Sequence, residues 1–315
     1  MTHAVRTMTG ALEQARKASL FILDIDGVLL DPKPSFYTAA SETAAWAASR
    51  ALGRAIEPAI TDADIHAFKS VGGWNDDFDL ACACTWGLIV REAGAPRRPI
   101  AEMALQVGGG LHVLDRFVRE ALPHAVWAQA AGACSTELIR QRAAVRYAGR
   151  ARCLDMYGIE AGTFPDLPAD GLWAGEPLLC RPESLQLLGG PFAIFTGRNR
   201  AEAEMALERL DLFVAPEWRA VDDGQTPRKP APDALVHFAS RTAGPVVFIG
   251  DSIDDERAVL AYEALGRLRA LPEFVFVRII GETDPDRSDS LASIIAPSLD
   301  AFAQALRPPA GEELP

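Results

Sequence analysis

Asp24 and Asp26, within the stretch SLFILDIDGVLLD from Ser19 to Asp31, are the residues whose types and spacing speak most directly of chemistry. Side chains two apart in an extended segment point the same way, so both carboxylates face one place while Ile25 turns into the interior. Two acids on one face repel each other unless a cation or a shared proton holds them. The pattern therefore implies a metal, an acid/base pair, or both. Comparable polar groups follow later: Thr196 after the apolar run FAIF, Lys229 in the polar turn DDGQTPRKPAP, and Asp251 after the apolar run VVFIG, with Asp254 and Asp255 close behind.

The elements that must position these groups are short strands separated by helices. Leu20 to Leu23 is apolar and flanked by polar residues, which reads as a strand buried on both faces, left sharply at Gly27. Phe192 to Phe195 and Pro245 to Ile249 read the same way, and further strands are expected at Leu212 to Ala215, Phe274 to Ile280 and Ser293 to Ala296. Helical spacing covers residues 10 to 18, Arg200 to Leu210, Asp233 to Arg241, 254 to 265 and Leu299 to Leu306. Alternating strands and helices predict an α/β fold, a Rossmann-like, doubly wound parallel sheet whose strand ends meet along one ligand-binding edge.

Between the first and second strand the character changes. Helical signals dominate at about Phe36 to Leu52, Asp62 to Phe68, Phe78 to Ala93, Ile100 to Gln106 and Val113 to Leu122. One longer helix is expected over Thr136 to Tyr157, with Ser135 as its N-cap. The expected organisation is an α/β core of residues 1–31 and 176–307, an all-helical insert of residues 32–175, and a disordered tail at 308–315.

The composition narrows the function classes. A formal charge of -12 and a pI near 4.9 argue against a nucleic-acid or anionic membrane surface, since both require clustered Lys and Arg. The longest apolar stretches fall short of a membrane span, and the start MTHAVRTMTG lacks a signal-peptide core, so a cytoplasmic location is expected. The five cysteines have no zinc-finger spacing and read as reduced packing residues.

Four motifs in order carry a family resemblance. DxDGVLxD is met by Asp24, Asp26, Gly27, Val28, Leu29 and Asp31; Thr196 ends IFT; Lys229 opens KPAPD; and GDSxxD runs from Gly250 to Asp255. This set resembles the haloacid dehalogenase (HAD) superfamily, subfamily I, in its phosphatase form, and the insert lies where that family places a C1-type helical cap. The resemblance implies an Mg²⁺-dependent hydrolase of phosphate monoesters. Asp24 would be the nucleophile that forms an aspartyl-phosphate, and Asp26 the general acid and base. Mg²⁺ would take Asp24, the backbone carbonyl of Asp26, and Asp251, with Asp254 and Asp255 behind them. Thr196, the N–H groups of Gly197 and Arg198 at a helix start, and Lys229 would receive the phosphate.

The resemblance leaves the substrate open beyond a small phosphorylated metabolite, with no nucleic acid and no membrane as partner and a homodimer as an open alternative. A phosphomutase with the same covalent chemistry, or a non-catalytic phosphate-binding protein on the same fold, are the competing readings. Within the insert, KSVGGWNDDFDL from Lys69 to Leu80 is similar to a cap motif of subfamily I, so Lys69, Trp74 and Asn75 are the expected substrate contacts there. Arg140, Arg142, Arg146, Arg150 and Arg152 read as a solvated face, with an anion-recognising surface as the alternative.

Overall fold

The computed structural model describes residues 5–74, 76–94, 99–269, 271–280 and 290–307. Contacts divide the chain into two compact units, Met1–Asp31 with Pro177–Pro315, and Pro32–Glu176. Asn75 and the tail 308–315 lie outside the described residues.

The first unit is built on a sheet with strands β1 (Arg6–Thr7), β2 (Leu20–Leu23), β3 (Phe192–Phe195), β4 (Arg219–Ala220), β5 (Val246–Gly250), β6 (Phe274–Ile279) and β7 (Ile294–Ala296). Their order is β1-β7-β6-β5-β2-β3-β4. Every pairing is parallel except β1 with β7. Period-two alternation sorts the strand residues between the faces. Phe21, Leu23, Ile194, Val247 and Ile249 pack with residues of α1 (Ala11–Arg16), α10 (Pro182–Leu188), α11 (Arg200–Arg209) and α14 (Leu299–Ala305). Leu20, Ile22, Ala193, Phe195 and Phe248 pack on the other side with α12 (Asp233–Ala239) and α13 (Ile253–Arg269). Both faces are thus covered, which is why the strands read as unbroken apolar runs.

One expected strand is misplaced. Leu212–Ala215 is not a strand, and the pairing with β3 is made by Arg219–Ala220 instead. Phe213 is 83% exposed, which no strand interior would leave it. Pro216 starts a short helical turn that delays the strand.

The second unit is helical among its described residues: α2 (Thr38–Leu52), α3 (Asp62–Val71), α4 (Asp77–Ala93), α5 (Ile100–Val107), α6 (Leu111–Ala121), α7 (His124–Ala133), α8 (Thr136–Ala148) and α9 (Cys153–Tyr157). At its centre α2 lies against α4, and both lie against α8. Ala40, Ala44, Ala47, Ala48 and Ala51 on α2, with Ala81 and Ala83 on α4, are buried there. Small side chains let helix backbones approach closely, so the alanine bias has a packing role in this unit. The long helix expected over Thr136–Tyr157 is interrupted after Ala148. Gly149 leaves it at φ 76°, where a Cβ would stand 2.4 Å from the Ala169 carbonyl oxygen, so only glycine fits.

The arginines of this region are structural. Arg140 pairs with Asp79 and, at 2.9 Å, with Asp76; Arg142 pairs with Asp166 at 2.7 Å and lies over the Trp46 ring; Arg146 pairs with Glu42. Arg150 donates to the Leu167 carbonyl and Arg152 lies over Trp173. These contacts tie α8 and the turn after it to the rest of the unit, in place of a purely solvated face. All five cysteines are free and buried, and among the described residues no helix is long and apolar enough to cross a membrane.

Trp74 does not present a face to a ligand. It is 1% exposed, packs edge-on against Phe68, and donates its indole N–H to the Gly108 carbonyl at 2.9 Å. Trp74→Ala is therefore expected to lower the unfolding free energy of this unit by about 3–5 kcal/mol, the range for emptying a buried aromatic site. Denaturant unfolding followed by circular dichroism measures this, and a loss below about 1 kcal/mol would contradict the interior placement.

Candidate active site

Three adjacent parallel strands, β3, β2 and β5, deliver the site residues to one edge of the sheet. Asp24 follows β2 directly, its N–H donating to the Ile249 carbonyl of β5 at 3.0 Å. Thr196 follows β3, and Asp251 follows β5. After Asp24 the chain turns tightly: the N–H groups of Leu29 and Leu30 both donate to the Ile25 carbonyl, and that of Gly27 donates to the Leu30 carbonyl. Gly27 has φ 71°, and a Cβ there would stand 2.0 Å from Asp251 Oδ2. Glycine is required both by the turn and by the carboxylate beside it.

Lys229 joins the acids. Its Nζ lies 2.7 Å from Asp24 Oδ2 and 2.7 Å from Asp255 Oδ1, the latter off a hydrogen-bonding direction. Side-chain exposures are 5% for Lys229, 9% for Asp24 and 0% for Asp255, so this is an interior ion cluster. The ammonium also lies over the rings of Phe195, at 5.0 Å, and Phe248, at 5.6 Å. Burial disfavours the lysine's charge, but Asp24 and Asp255 outweigh it and hold its pKa above the usual lysine range. Burial raises the Asp24 carboxyl to about 7; Lys229 opposes this, while Asp255 and Asp26 add to it.

Asp255 has a second anchor. The Ser252 hydroxyl accepts from its N–H at 3.1 Å and donates to its Oδ2 at 2.7 Å, and the Ser252 N–H donates to the same oxygen at 2.9 Å. This reciprocal cap fixes the start of α13. Asp254 is also buried and pairs with Arg257 at 3.1 Å.

Asp24, Asp251 and Asp255 each offer a carboxylate oxygen, and the three oxygens lie within 4.8 Å of one another. An all-oxygen set of this kind suits a hard divalent cation, and three carboxylates against one ammonium leave negative charge for it to balance. The residues present therefore fit Mg²⁺. Asp255, expected behind the metal, brings a carboxylate near the same place while contacting Lys229 and Ser252.

Asp26 and Arg198 form a separate pair. Arg198 is 2% exposed, with Nη2 2.6 Å from Asp26 Oδ1 and Nε 3.1 and 3.2 Å from Oδ1 and Oδ2. The resemblance gives the phosphate the N–H of Arg198, while its guanidinium pairs with Asp26. Its N–H donates to Thr196 Oγ1 at 3.3 Å, while Gly197 is exposed. The helix that follows begins at Arg200, where its spacing predicts it, capped by Asn199 in a reciprocal arrangement with Glu202.

One contributor escaped the sequence analysis. Arg278 on β6 is buried, donating from Nη2 to the Asp251 carbonyl at 2.9 Å and from Nη1 to Glu256 at 2.8 Å. It braces the turn that carries Asp251. An arginine inside the apolar strand FVFVRI was the available signal, because a buried cation needs a partner. In the helical unit, Lys69 pairs with Asp77 at 3.1 Å and lies over Tyr37, while Trp74 is interior as described.

A proton on Asp24 competes with a cation for the same oxygens, so cation affinity is expected to rise with pH through about 7 and level off above it. Calorimetric titration of the protein with Mg²⁺ should give about tenfold tighter binding at pH 8 than at pH 6, with proton release on binding. Asp251→Asn should weaken binding at both pH values. Equal affinity at pH 6 and 8 would show that Asp24 does not govern the site.

No protein-family model matches the chain, and no curated protein matches it. Among solved structures, the chain is similar to phosphatase Tt82 from Thermococcus thioreducens, with a TM-score of 0.57 and 23% identity over 85% of this chain and 95% of that one. A Northeast Structural Genomics Consortium target matches with a TM-score of 0.52 and 15% identity over 83% and 90% of the two chains. A HAD-superfamily hydrolase, subfamily IA, variant 1, from Geobacter sulfurreducens matches with 0.44 and 15% over 92% and 97%. At these identities the likeness is one of fold. The chain shares with phosphatase Tt82 an α/β fold, here a mostly parallel seven-stranded sheet flanked by helices.

Proposed function

We propose that the protein is an Mg²⁺-dependent phosphatase that hydrolyses the phosphate monoester of a small metabolite through an aspartyl-phosphate on Asp24. The observation that carries this reading is the Asp24 carboxylate at the end of β2, buried, 2.7 Å from the Lys229 ammonium and clustered with Asp251 and Asp255. A fold shared with a protein described as a phosphatase supports it.

A phosphate monoester resists attack because its anionic oxygens repel nucleophiles and its alkoxide leaves poorly. The site has to neutralise charge, align the attack and protonate the leaving oxygen. Asp24 attacks phosphorus in line, the bond to the ester oxygen breaks, and Asp26 gives that oxygen its proton. Water then attacks the phosphorus of the acyl phosphate, Asp26 takes the water's proton, and the Asp24 carboxylate is restored as inorganic phosphate leaves. Lys229 begins the cycle paired with Asp24 and offers its charge to the phosphoryl oxygens as the nucleophile's charge is consumed. The Thr196 hydroxyl, at the end of the neighbouring strand, is the hydrogen-bonding group for the same oxygens. Bound Mg²⁺ would supply the remaining charge neutralisation, held by Asp24, Asp251 and the backbone carbonyl of Asp26, with Asp255 behind them. These residues specify phosphoryl transfer and carry no information about the group attached to the phosphate.

A broad panel of phosphate esters with Mg²⁺, read by inorganic phosphate release, tests the reading. Turnover of at least one sugar or other metabolite ester is expected, with loss in EDTA. Asp24→Asn should lower kcat by about 10³-fold or more and abolish the acid-stable phosphoenzyme trapped with labelled substrate. Wild-type rates for Asp24→Asn, or formation of an isomer without phosphate release, would rule out this assignment.

A further inference from the structure

We propose that Arg198 is a positioning residue: it acts on the phosphate ester through Asp26, whose carboxylate it holds in the orientation needed for proton transfer. The inference rests on the phosphatase reading and adds to it a residue whose role lies one step from the reacting atoms.

Both ends of the Arg198–Asp26 pair are fixed by the backbone. Asp26 sits in the tight turn after β2, bridged to Leu30. Arg198 donates its N–H to Thr196, accepts at its carbonyl from the Asp222 N–H at 2.9 Å, and precedes the cap of α11. Between these anchors the guanidinium meets the carboxylate side-on through Nε and Nη2. That geometry constrains the plane of the carboxylate as well as its distance, which the single point charge of a lysine would not do. The sharing is uneven. Oδ1 receives Nη2 at 2.6 Å and Nε at 3.1 Å, whereas Oδ2 receives Nε at 3.2 Å, so Oδ2 is the less occupied oxygen and the one available to exchange a proton with the leaving alcohol or the attacking water.

The competing role for Arg198 is direct contact with the phosphoryl group. Its burial and its fork on Asp26 oppose that role, because reaching the phosphate would break both close contacts and leave Asp26 without its buried partner. If the pair works as a unit, removing either member removes the same function, and the second removal costs nothing further.

A double-mutant cycle in the Mg²⁺-loaded enzyme separates the two roles. Wild type, Arg198→Lys, Asp26→Asn and the double variant are assayed on an alkyl phosphate, with the burst of p-nitrophenol from p-nitrophenyl phosphate as a second readout. Arg198→Lys is expected to lower kcat on the alkyl ester about 10- to 100-fold, with KM within about threefold, the scale of a misplaced proton-transfer group. The burst, whose leaving group needs no proton, should lose at least about tenfold less. In the Asp26→Asn background the same change should alter kcat by less than about twofold. Losses that multiply in the double variant, a loss carried by KM, or equal losses on the two esters would overturn the inference and make Arg198 a phosphate ligand. Should Arg198→Lys fail to fold by circular dichroism, Arg198→Ala assayed with and without guanidinium ion replaces it; restored kcat on the alkyl ester supports positioning, and no restoration overturns it. A wild-type enzyme that hydrolyses no phosphate ester would instead remove the phosphatase reading, and this inference with it.

Discussion

The buried ammonium of Lys229 is the interaction on which the site depends. Asp24 and Asp255 come from strands and turns far apart in sequence, yet their carboxylates share one cation at 2.7 Å in an interior setting. Burial drives the Asp24 carboxyl to bind its proton, and Lys229 opposes this. Removing one member of a buried pair costs about 3–5 kcal/mol, because the other is stranded. The lysine therefore serves stability and chemistry together: it makes a dense acidic cluster tolerable, and it keeps the Asp24 oxygens oriented.

The sheet turns this local arrangement into a site. Because β3, β2 and β5 run parallel side by side, the residues that follow each of them arrive at the same edge: Thr196, Asp24 and Asp251. Lys229 comes from the loop before α12 and passes over Phe195 and Phe248, which belong to the face of the sheet covered by α12 and α13. Asp26 and Arg198 make a second ion pair near the first, and Arg278 supports the Asp251 turn from β6. Asp24, Asp26 and Asp255 are thus each held by a cation from a different element. Rigid support of that kind is what a reaction needing in-line attack and directed proton transfer requires.

Much of this was legible in the sequence because the signals were local. Three strands buried in the sheet showed as apolar runs, and the polar groups just beyond them marked the edge where Asp24, Thr196 and Asp251 gather. What was not legible depended on long-range contact. The Arg198 guanidinium showed no partner in the sequence because Asp26 is 172 positions away and no local pattern links them. Trp74, after two glycines, looked like an exposed loop aromatic, and only the Gly108 carbonyl and the Phe68 ring, brought in by other helices, make it interior. The strand β4 is too short to leave an alternation, so the neighbouring apolar residues Leu212–Ala215 drew the assignment.

The two outermost strands of the sheet, β1 and β4, are each two residues long. A parallel sheet otherwise ends in a row of unpaired N–H and C=O groups that invites another chain to add a strand. Here β1 runs antiparallel along β7, and β4 covers β3 over two residues before the chain turns away. An incoming strand would find a register only two residues deep on either side. Among the described residues, the sheet edges are accordingly poor templates for strand exchange between copies, since neither offers a ladder long enough to hold an added strand.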